Sequence, residues 1–396
     1  MRLIVSADIH LGSPIRSAAL RNGALGQRLQ QASRAALSAL VDLAIAEGVA
    51  ALVLAGDIFD KDEPDLRARA FLITQLTRAT EAGVDCVLIR GNHDALLDHR
   101  AYGELGPGIH LLHRDAPTVE IDGALFHGLS FDSTHVSRSF LPDYPAPVPG
   151  RLNIGLMHTS LDGAAGHDPY APCAEADLMA HGYDLWCLGH IHAPFERRRA
   201  GVLALMPGIP QPRHFGERFG GSACLVRLGS DTAEGTPEVE WRPIASLGFA
   251  EVAVDLSACD SQQELLQSLR ASLRQAHVAG RDTAVRLEIT TARHGRDLLT
   301  ELAQEVLEDL TGLYLDKVKL HRPARAPDAA NDELMSLMQA EIAAPGFRQA
   351  ALEQLEELRD ALPPAIAAEL APEALDALLK EALEEVSLAL HTEAST

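Results

Sequence analysis

The chain has 396 residues and a formal net charge of −22, from 34 Lys and Arg against 56 Asp and Glu. Hydrophobic residues make up 47% of the chain and charged residues 23%, which excludes a disordered protein and favours two or three folded units. The acidic balance also disfavours a simple basic nucleic-acid-binding domain, because such domains usually carry net positive charge.

The first part of the chain alternates predicted strands and helices. Strands are predicted at residues 3–7, 49–55, 84–90, 154–157 and 185–188, and helices at 30–47 and between Pro64 and Gly83. These strands are continuous apolar runs, as expected for strands buried on both faces. Polar residues follow each strand, in the place where open α/β sheets bind their ligands. We therefore predict an α/β domain over residues 1–245.

A second α/β pattern begins after Trp241. Predicted strands at 252–256, 284–290 and 318–320 alternate with helices at 262–277 and 297–310, which indicates a compact unit over residues 250–323. Residues 331–396 are rich in Ala, Leu and Glu and predict two or three amphipathic helices joined by short turns. This last segment carries 3 basic and 14 acidic side chains, so half of the net charge of the chain lies in it.

Cysteine usage and hydropathy bear on the compartment. The five cysteines form no CxxC pair, which predicts buried, reduced thiols: Cys86, Cys173, Cys187, Cys224 and Cys259. The N-terminus runs straight into a strand, so no signal peptide is expected. The most apolar stretch, residues 35–55, contains Asp42 and Glu47 and is typical of a helix followed by a strand. We predict a soluble, cytoplasmic protein with no membrane partner.

Five short segments place metal-ligand side chains at the ends of predicted strands. They are Asp8-Ile9-His10, Gly56-Asp57, Gly91-Asn92-His93-Asp94, His158, and Gly189-His190-Ile191-His192. Mixed oxygen and imidazole donors suit Mn²⁺, Fe or Zn²⁺ better than Ca²⁺. Seven candidate ligands for two ions require a bridging carboxylate, and Asp57 is the natural one because it stands alone on its loop beside a glycine.

A pair of ions about 3.5–4 Å apart can activate water and hold both reacting oxygens of a phosphate ester. His93 is then a candidate general acid, oriented or charge-stabilised by the neighbouring Asp94. Each segment alone is weak evidence, since a Gly-Asp pair or an Asx turn commonly serves only as a turn. The five together, in one order and each at a strand end, favour a metal site.

This order of motifs resembles the calcineurin-like metallophosphoesterase superfamily. Longer stretches resemble its SbcD-type and YhaO-type DNA repair nucleases, namely residues 6–14, 152–161, 166–173 and 207–214. The resemblance implies a four-layer αββα sandwich with a small α/β capping domain and C-terminal helices. It also implies that Asp8, His10, Asp57 and His192 hold one ion and that Asp57, Asn92, His158 and His190 hold the other, with His93 as general acid and Asp94 behind it.

The implied activity is that of a dinuclear metal-dependent DNA exonuclease or endonuclease subunit of a repair complex. Mn²⁺ is the first choice of ion, with Fe, Zn²⁺ and Mg²⁺ as alternatives. A phosphoesterase acting on a small nucleotide or cyclic nucleotide remains the alternative function. Some relatives place a histidine where this chain has Asp60, so a phosphate contact is not assigned there.

A basic cluster and the C-terminal region supply the predicted contacts with macromolecules. Phosphate contacts are predicted for Arg197, Arg198, Arg199, Arg213, His214 and Arg218, against the simpler interpretation of a solvated face. Residues 331–396 are predicted to dock on an SbcC-like SMC-type ATPase, because a solvated tail needs none of their apolar positions: Leu334, Leu337, Met338, Leu352, Leu355, Leu358, Leu375, Leu378, Leu379 and Leu383. A homodimer that forms through the helices between residues 13 and 46 is left open.

Overall fold

The structure is a computed structural model and describes residues 1–13, 23–60, 66–97, 105–162, 170–232, 235–322 and 329–362, with residues 375, 376, 378–380, 382, 383 and 386. Contacts divide the described chain into a first unit, which contains residues 1–13 and Arg28–Gly248, and a second unit, which contains residues 23–27 and the described residues from Phe249 onward. The predicted segment 166–169 and Pro14 lie outside the described residues.

The first unit contains two six-stranded mixed sheets. Its elements in chain order are β1 (Arg2–Ser6), α1 (Gly23–Glu47), β2 (Ala51–Ala55), α2 (Leu66–Glu81), β3 (Asp85–Ile89), β4 (Ile109–Leu111), β5 (Thr118–Ile121), β6 (Ala124–Gly128), β7 (Asn153–His158), α3 (Glu175–Ala180), β8 (Leu185–Gly189), β9 (Phe195–Arg199), β10 (Val202–Met206), β11 (Ser222–Arg227) and β12 (Glu238–Pro243). The first sheet has the order β12-β11-β1-β2-β3-β4 and the second β5-β6-β7-β8-β10-β9.

Parallel strands form the centre of both sheets. β1, β2, β3 and β4 are mutually parallel, and so are β6, β7, β8 and β10. Antiparallel strands flank these centres: β11 and β12 beside β1 in the first sheet, and β5 beside β6 and β9 beside β10 in the second. The carboxyl ends of the central strands therefore lie at one edge of each sheet.

The two sheets pack face to face, and alternate residues of each strand enter different cores. Leu3 and Val5 of β1 join the core between the sheets, whereas Ile4 joins the core that α1 and α2 cover. The outer face of the second sheet is covered by the short α3 and by loop residues around Phe131, with Trp186 fully buried there. The predicted α/β sandwich is confirmed, although its fourth layer is more loop than helix.

Helix α1 is longer than the sequence pattern predicts. It begins at Gly23 rather than at residue 30, and Leu25 in its added turns is fully buried. The glycines at 23 and 26 hide this extension, because glycine lowers helix propensity by about 1 kcal/mol relative to alanine. The predicted cysteine burial is confirmed: all five are buried and free, and burial raises the pKa of Cys86 to about 12.

The second unit is built on a three-stranded sheet. It contains β13 (Leu247–Asp255), α4 (Gln262–Ala276), β14 (Asp282–Thr290), α5 (Arg296–Glu308), β15 (Leu313–His321), α6 (Ala329–Ala343) and α7 (Pro345–Ala361). The strand order is β13-β14-β15, and α4 and α5 supply Leu269 and Leu302 to its core. A capping role for residues 250–323 stays a prediction. None of the helices in the described chain is long and apolar enough for a membrane span.

Candidate metal centre

Every predicted ligand lies at the carboxyl end of a central strand. Asp8 and His10 follow β1, Asp57 follows β2, Asn92 follows β3, His158 ends β7, and His190 and His192 follow β8. Asp8 and Asp57 are connected through their backbones, because the Asp8 amide donates to the Gly56 carbonyl at 3.0 Å. The two sheets thus bring residues from five separated segments together.

The backbone is strained where these side chains meet. Asp8, His10, Asp57 and His190 have φ values of 55°, 48°, 50° and 98°. Non-glycine residues rarely adopt this left-handed region, and each such residue costs on the order of 1–2 kcal/mol. Such strain persists only where the surrounding structure fixes it, and it concentrates at functional sites.

One group of donor atoms surrounds the imidazoles of His10 and His192. Their Nε2 atoms are 3.2 Å apart, and the Nε2 of His10 lies 3.8 Å from Oδ2 of Asp57. Donor atoms of Asp8, His10 and His192 all lie within 4.8 Å of one another. We call this group the His10–His192 half of the site.

A second group surrounds His158. Its Nε2 lies 3.1 Å from Oδ1 of Asn92 and 3.3 Å from Oδ2 of Asp57, and Nδ1 of His190 lies 3.2 Å from the same Asn92 oxygen. The His190 amide donates to the Asp8 carboxylate at 3.0 Å. We call this group the His158 half, and Asp57 lies between it and the His10–His192 half.

The hydrogen bonds of the imidazoles show that the site fits cations. Nδ1 of His158 lies 3.0 Å from the carbonyl oxygen of Ala55, which can only accept, so the hydrogen of the neutral ring is on Nδ1. The lone pair on Nε2 then faces the oxygens of Asp57 and Asn92. Acceptors facing acceptors in a buried site require a cation or a proton between them.

The same conflict occurs in the other half. Nδ1 of His192 lies 2.7 Å from Oε1 of Glu217, and Nδ1 of His10 lies 3.1 Å from Oδ1 of Asp60. With both Nδ1 hydrogens directed at carboxylates, the two Nε2 lone pairs face each other across 3.2 Å. Carboxylate-backed imidazoles arranged in this way are typical of metal ligands.

The pKa values follow from the same contacts. Burial opposes a charge on His158, but the Asp57 carboxylate outweighs it and raises the pKa of His158 to about 9. Burial likewise opposes a charge on Asp57, yet His158 and His10 hold the pKa of this carboxyl far below its usual value. Burial lowers the pKa of His10. Asp57 is therefore a carboxylate at neutral pH.

His93 and Asp94 have different contacts from those predicted. Nδ1 of His93 lies 3.1 Å from the carbonyl oxygen of Asp60, and its backbone amide donates to Oδ1 of Asp57 at 2.9 Å. The fully buried Asp94 accepts from the backbone amides of Ile58 at 3.0 Å and Gly91 at 2.7 Å. Asp94 thus joins the loops after β2 and β3, and the backbone carbonyl of Asp60 contacts the His93 ring; the support of His93 by Asp94 stays a prediction.

The residues of the predicted phosphate-binding cluster lie in different environments in the structure. Arg197, Arg198 and Arg199 lie exposed on β9, at the edge of the second sheet, and Arg218 stacks on Phe219 at 4.7 Å. His214 accepts from the Gly216 amide at 3.1 Å and so caps a short 3₁₀ helix at Phe215–Glu217.

Arg213 differs from the exposed arginines of the cluster because its side chain is only 24% exposed and pairs with two carboxylates. Its NH1 group lies 2.9 Å from Asp60 and its NH2 group 2.7 Å from Glu217. Arg213 therefore forms ion pairs within the protein, and its phosphate contact stays a prediction. The sequence analysis predicted no role for Asp60 or Glu217. The aspartate at position 60, where some relatives have a histidine, was the one signal that this position differs.

A glycine is required beside Asp57. A Cβ atom on Gly91 would lie 2.1 Å from Oδ1 of Asp57 and 2.7 Å from its amide nitrogen, far inside van der Waals contact. We expect Gly91→Ala to displace Asp57 and to weaken divalent-ion binding by about 10- to 100-fold, measured by calorimetry with Mn²⁺. Gly106→Ala, where a Cβ meets open space, is the matched control. Unchanged ion binding in Gly91→Ala would contradict this geometry.

Comparison with known proteins identifies the domain. Residues 1–194 match the family model of the calcineurin-like phosphoesterases. The chain is 28% identical to the uncharacterized metallophosphoesterase YhaO of Bacillus subtilis, over 84% of this chain and 83% of that protein. It is 27% identical to the DNA double-strand break repair protein Mre11 of Methanopyrus kandleri, over 54% of this chain and 50% of that protein. The protein of the same name from Sulfolobus acidocaldarius is 26% identical, over 53% of this chain and 54% of that protein. Residues 1–194 therefore contain a domain of the calcineurin-like phosphoesterase family, whose members are metal-dependent hydrolases.

Proposed function

We propose that this protein is the nuclease subunit of a DNA repair complex and hydrolyses phosphodiester bonds in DNA with two divalent ions. The observation that carries the proposal is the convergence of buried acceptor atoms around Asp57. Asp8, His10, Asp57 and His192 would hold one ion, and Asp57, Asn92, His158 and His190 the other. When bound, such a pair of ions supplies an activated water and neutralises charge on the phosphate.

Mn²⁺ is the proposed ion because the donors are mixed. Each half combines imidazole nitrogen with carboxylate or amide oxygen, a set that suits Mn²⁺, Fe and Zn²⁺. Mg²⁺ favours oxygen ligands and several bound waters, so a site with two imidazoles in each half suits it less well.

His93 is the proposed proton donor. Because Nδ1 faces the Asp60 carbonyl, Nε2 is the ring atom left for the substrate. A proton held at Nε2 would pass to the leaving oxygen as its bond to phosphorus breaks. The ring also packs edge-on against His10, with centroids 4.9 Å apart, which fixes its position beside the ion ligands.

Three features support DNA rather than a small nucleotide. Two of the reported relatives carry names that place them in DNA double-strand break repair. The second unit and the C-terminal helices are more protein than a small substrate requires. The exposed Arg197, Arg198, Arg199 and Arg218 would contact backbone phosphates, the main source of affinity in nonspecific DNA binding.

The C-terminal helices support an SMC-type ATPase as partner. Leu337 on α6 and Leu358 on α7 are 63% and 57% exposed, and Leu334 and Phe347 are each 40% exposed. Large apolar side chains on helices at such exposure are typical of a surface that a partner covers.

The substrate is tested by direct comparison. With Mn²⁺, we expect the purified protein to degrade linear duplex or single-stranded DNA and to leave cyclic nucleotides intact, measured by gel electrophoresis and chromatography. Asp57→Ala, which removes the carboxylate shared by both halves, should abolish the activity. Turnover of cyclic nucleotides beside intact DNA, with an SMC-type ATPase present, would contradict the proposal.

The role of His93 is tested with two leaving groups. His93→Asn should lower kcat on DNA by about 10²- to 10⁴-fold, because the leaving sugar oxygen needs a proton. On bis(p-nitrophenyl) phosphate the loss should be much smaller, since nitrophenolate leaves without one. Bound Mn²⁺ should stay unchanged, because the His93 backbone amide keeps its bond to Asp57. Equal losses on both substrates would exclude a proton donor.

The docking surface is tested with exposed leucines. Leu337→Glu combined with Leu358→Glu should abolish co-purification with the ATPase and leave DNA cleavage by the isolated subunit intact, because neither side chain is buried. Leu66→Glu, on a leucine that is 81% exposed in the first unit, is the matched control. Retained co-purification of the double variant would place the ATPase elsewhere.

A further inference from the structure

Three charged side chains connect the two imidazoles of the His10–His192 half from behind. From His10, the path runs to Asp60 at 3.1 Å, to Arg213 at 2.9 Å, to Glu217 at 2.7 Å and to His192 at 2.7 Å. The Nε2 atoms of the two imidazoles, 3.2 Å apart, complete a ring of contacts. We call Asp60, Arg213 and Glu217 the bracing network.

The bracing network is built into the protein. The side chains of Glu217, Asp60 and Arg213 are 5%, 13% and 24% exposed. Glu217 also accepts from the backbone amide of Arg213 at 2.8 Å, so this carboxylate is fixed from two directions. Groups held this tightly lose little conformational freedom when an ion binds.

The His158 half has a different environment. Nδ1 of His158 faces the neutral carbonyl of Ala55, and the amide oxygen of Asn92 contacts both imidazoles of this half, His158 at 3.1 Å and His190 at 3.2 Å. Tyr170 packs edge-on against His190, with ring centroids 5.1 Å apart. The imidazoles of the site are therefore backed by carboxylates in one half, and His158 by a neutral group in the other.

We propose that the bracing network makes the His10–His192 half the tighter of the two ion sites, with Arg213 as a positioning residue. A carboxylate that accepts the Nδ1 hydrogen orients the ring and strengthens the bond of Nε2 to a cation. Arg213 holds both carboxylates with one planar guanidinium and offsets their mutual repulsion. The two ions would thus load in order, the His10–His192 half first.

This inference rests on the proposed two-ion centre and is independent of the substrate. Mn²⁺ is titrated into the chelator-treated full chain, and binding is followed by calorimetry and by the electron paramagnetic resonance signal of free Mn²⁺. The unmodified protein should bind two ions with distinct affinities. Glu217→Gln, which keeps the shape and removes the charge, should weaken the tighter ion by about 10- to 100-fold and spare the weaker one.

Two backgrounds identify the half that responds. In His158→Ala, only the His10–His192 half retains its imidazoles, and adding Glu217→Gln should weaken the remaining ion. In the His192→Ala background, adding Glu217→Gln should leave the affinity for the remaining Mn²⁺ ion unchanged. A response in the second background, or equal responses in both, would overturn the proposal.

Two control variants show whether a loss of ion binding comes from the bracing network or from misfolding. Glu217→Gln leaves Arg213 with one fewer partner, so the charge-balanced pair Arg213→Gln with Glu217→Gln is measured in parallel and should show the same loss. Asp316→Asn is the matched control, because Asp316 is a buried carboxylate paired with Arg286 at 2.8 Å in the second unit. It should leave both affinities unchanged.

The outcomes separate the two proposals. If the unmodified protein binds no ion, or only one, the two-ion centre fails and this inference fails with it. If two ions bind and Glu217→Gln alters neither, the centre stands and the bracing network is only structural.

Discussion

The site depends on one buried carboxylate. Asp57 is 1% exposed, follows strand β2 between β1 and β3, and lies close to His10, His158 and the His93 amide. A charge without solvent is stable only if positive or hydrogen-donating groups surround it. The His93 amide donates to Asp57, the imidazoles place a proton or a cation beside it, and the absence of a side chain at Gly91 leaves the space for it. The strained backbone of the neighbouring loops keeps these groups in place. Part of the folding free energy of the two sheets is thus used to hold a geometry that favours cations.

The ligand residues could be predicted because each follows a continuous apolar run. Residues 49–55 and 185–188 can only be buried strands, and polar residues directly after them stand at the sheet edge. Asp60 and Glu217 could not be predicted in the same way. Glu217 reaches His192 across 25 residues of chain and an intervening sheet edge, and an isolated glutamate is usually solvated. Asp94 accepts from the backbone amides of Ile58 and Gly91, contacts that its position next to His93 in the sequence does not reveal.

Some strands of the fold could be predicted from the sequence pattern, whereas others depend on packing that the pattern does not show. Five of the parallel strands follow from apolar runs, namely β1, β2, β3, β7 and β8, whereas β4, β6 and β10 were not predicted. β9 was missed because Phe195–Arg199 contains three arginines in a row. β9 is an edge strand that pairs only with β10 in its sheet, and charged side chains on an edge prevent pairing with other chains. Arg197, Arg198 and Arg199 therefore have a structural reason to be basic that is independent of any phosphate.

The net charge of −22 conflicts less with a nucleic acid substrate once the distribution of the charged residues over the structure is considered. Half of it belongs to residues 331–396, outside the two large sheets. Within the site, Asp8, Asp57, Asp60 and Glu217 are balanced only in part by Arg213. A phosphate diester that approaches these carboxylates meets like charge, whereas two divalent cations beside Asp57 reverse the sign of the local field. The proposed anionic substrate would therefore need the ions in place in order to bind as well as to be hydrolysed.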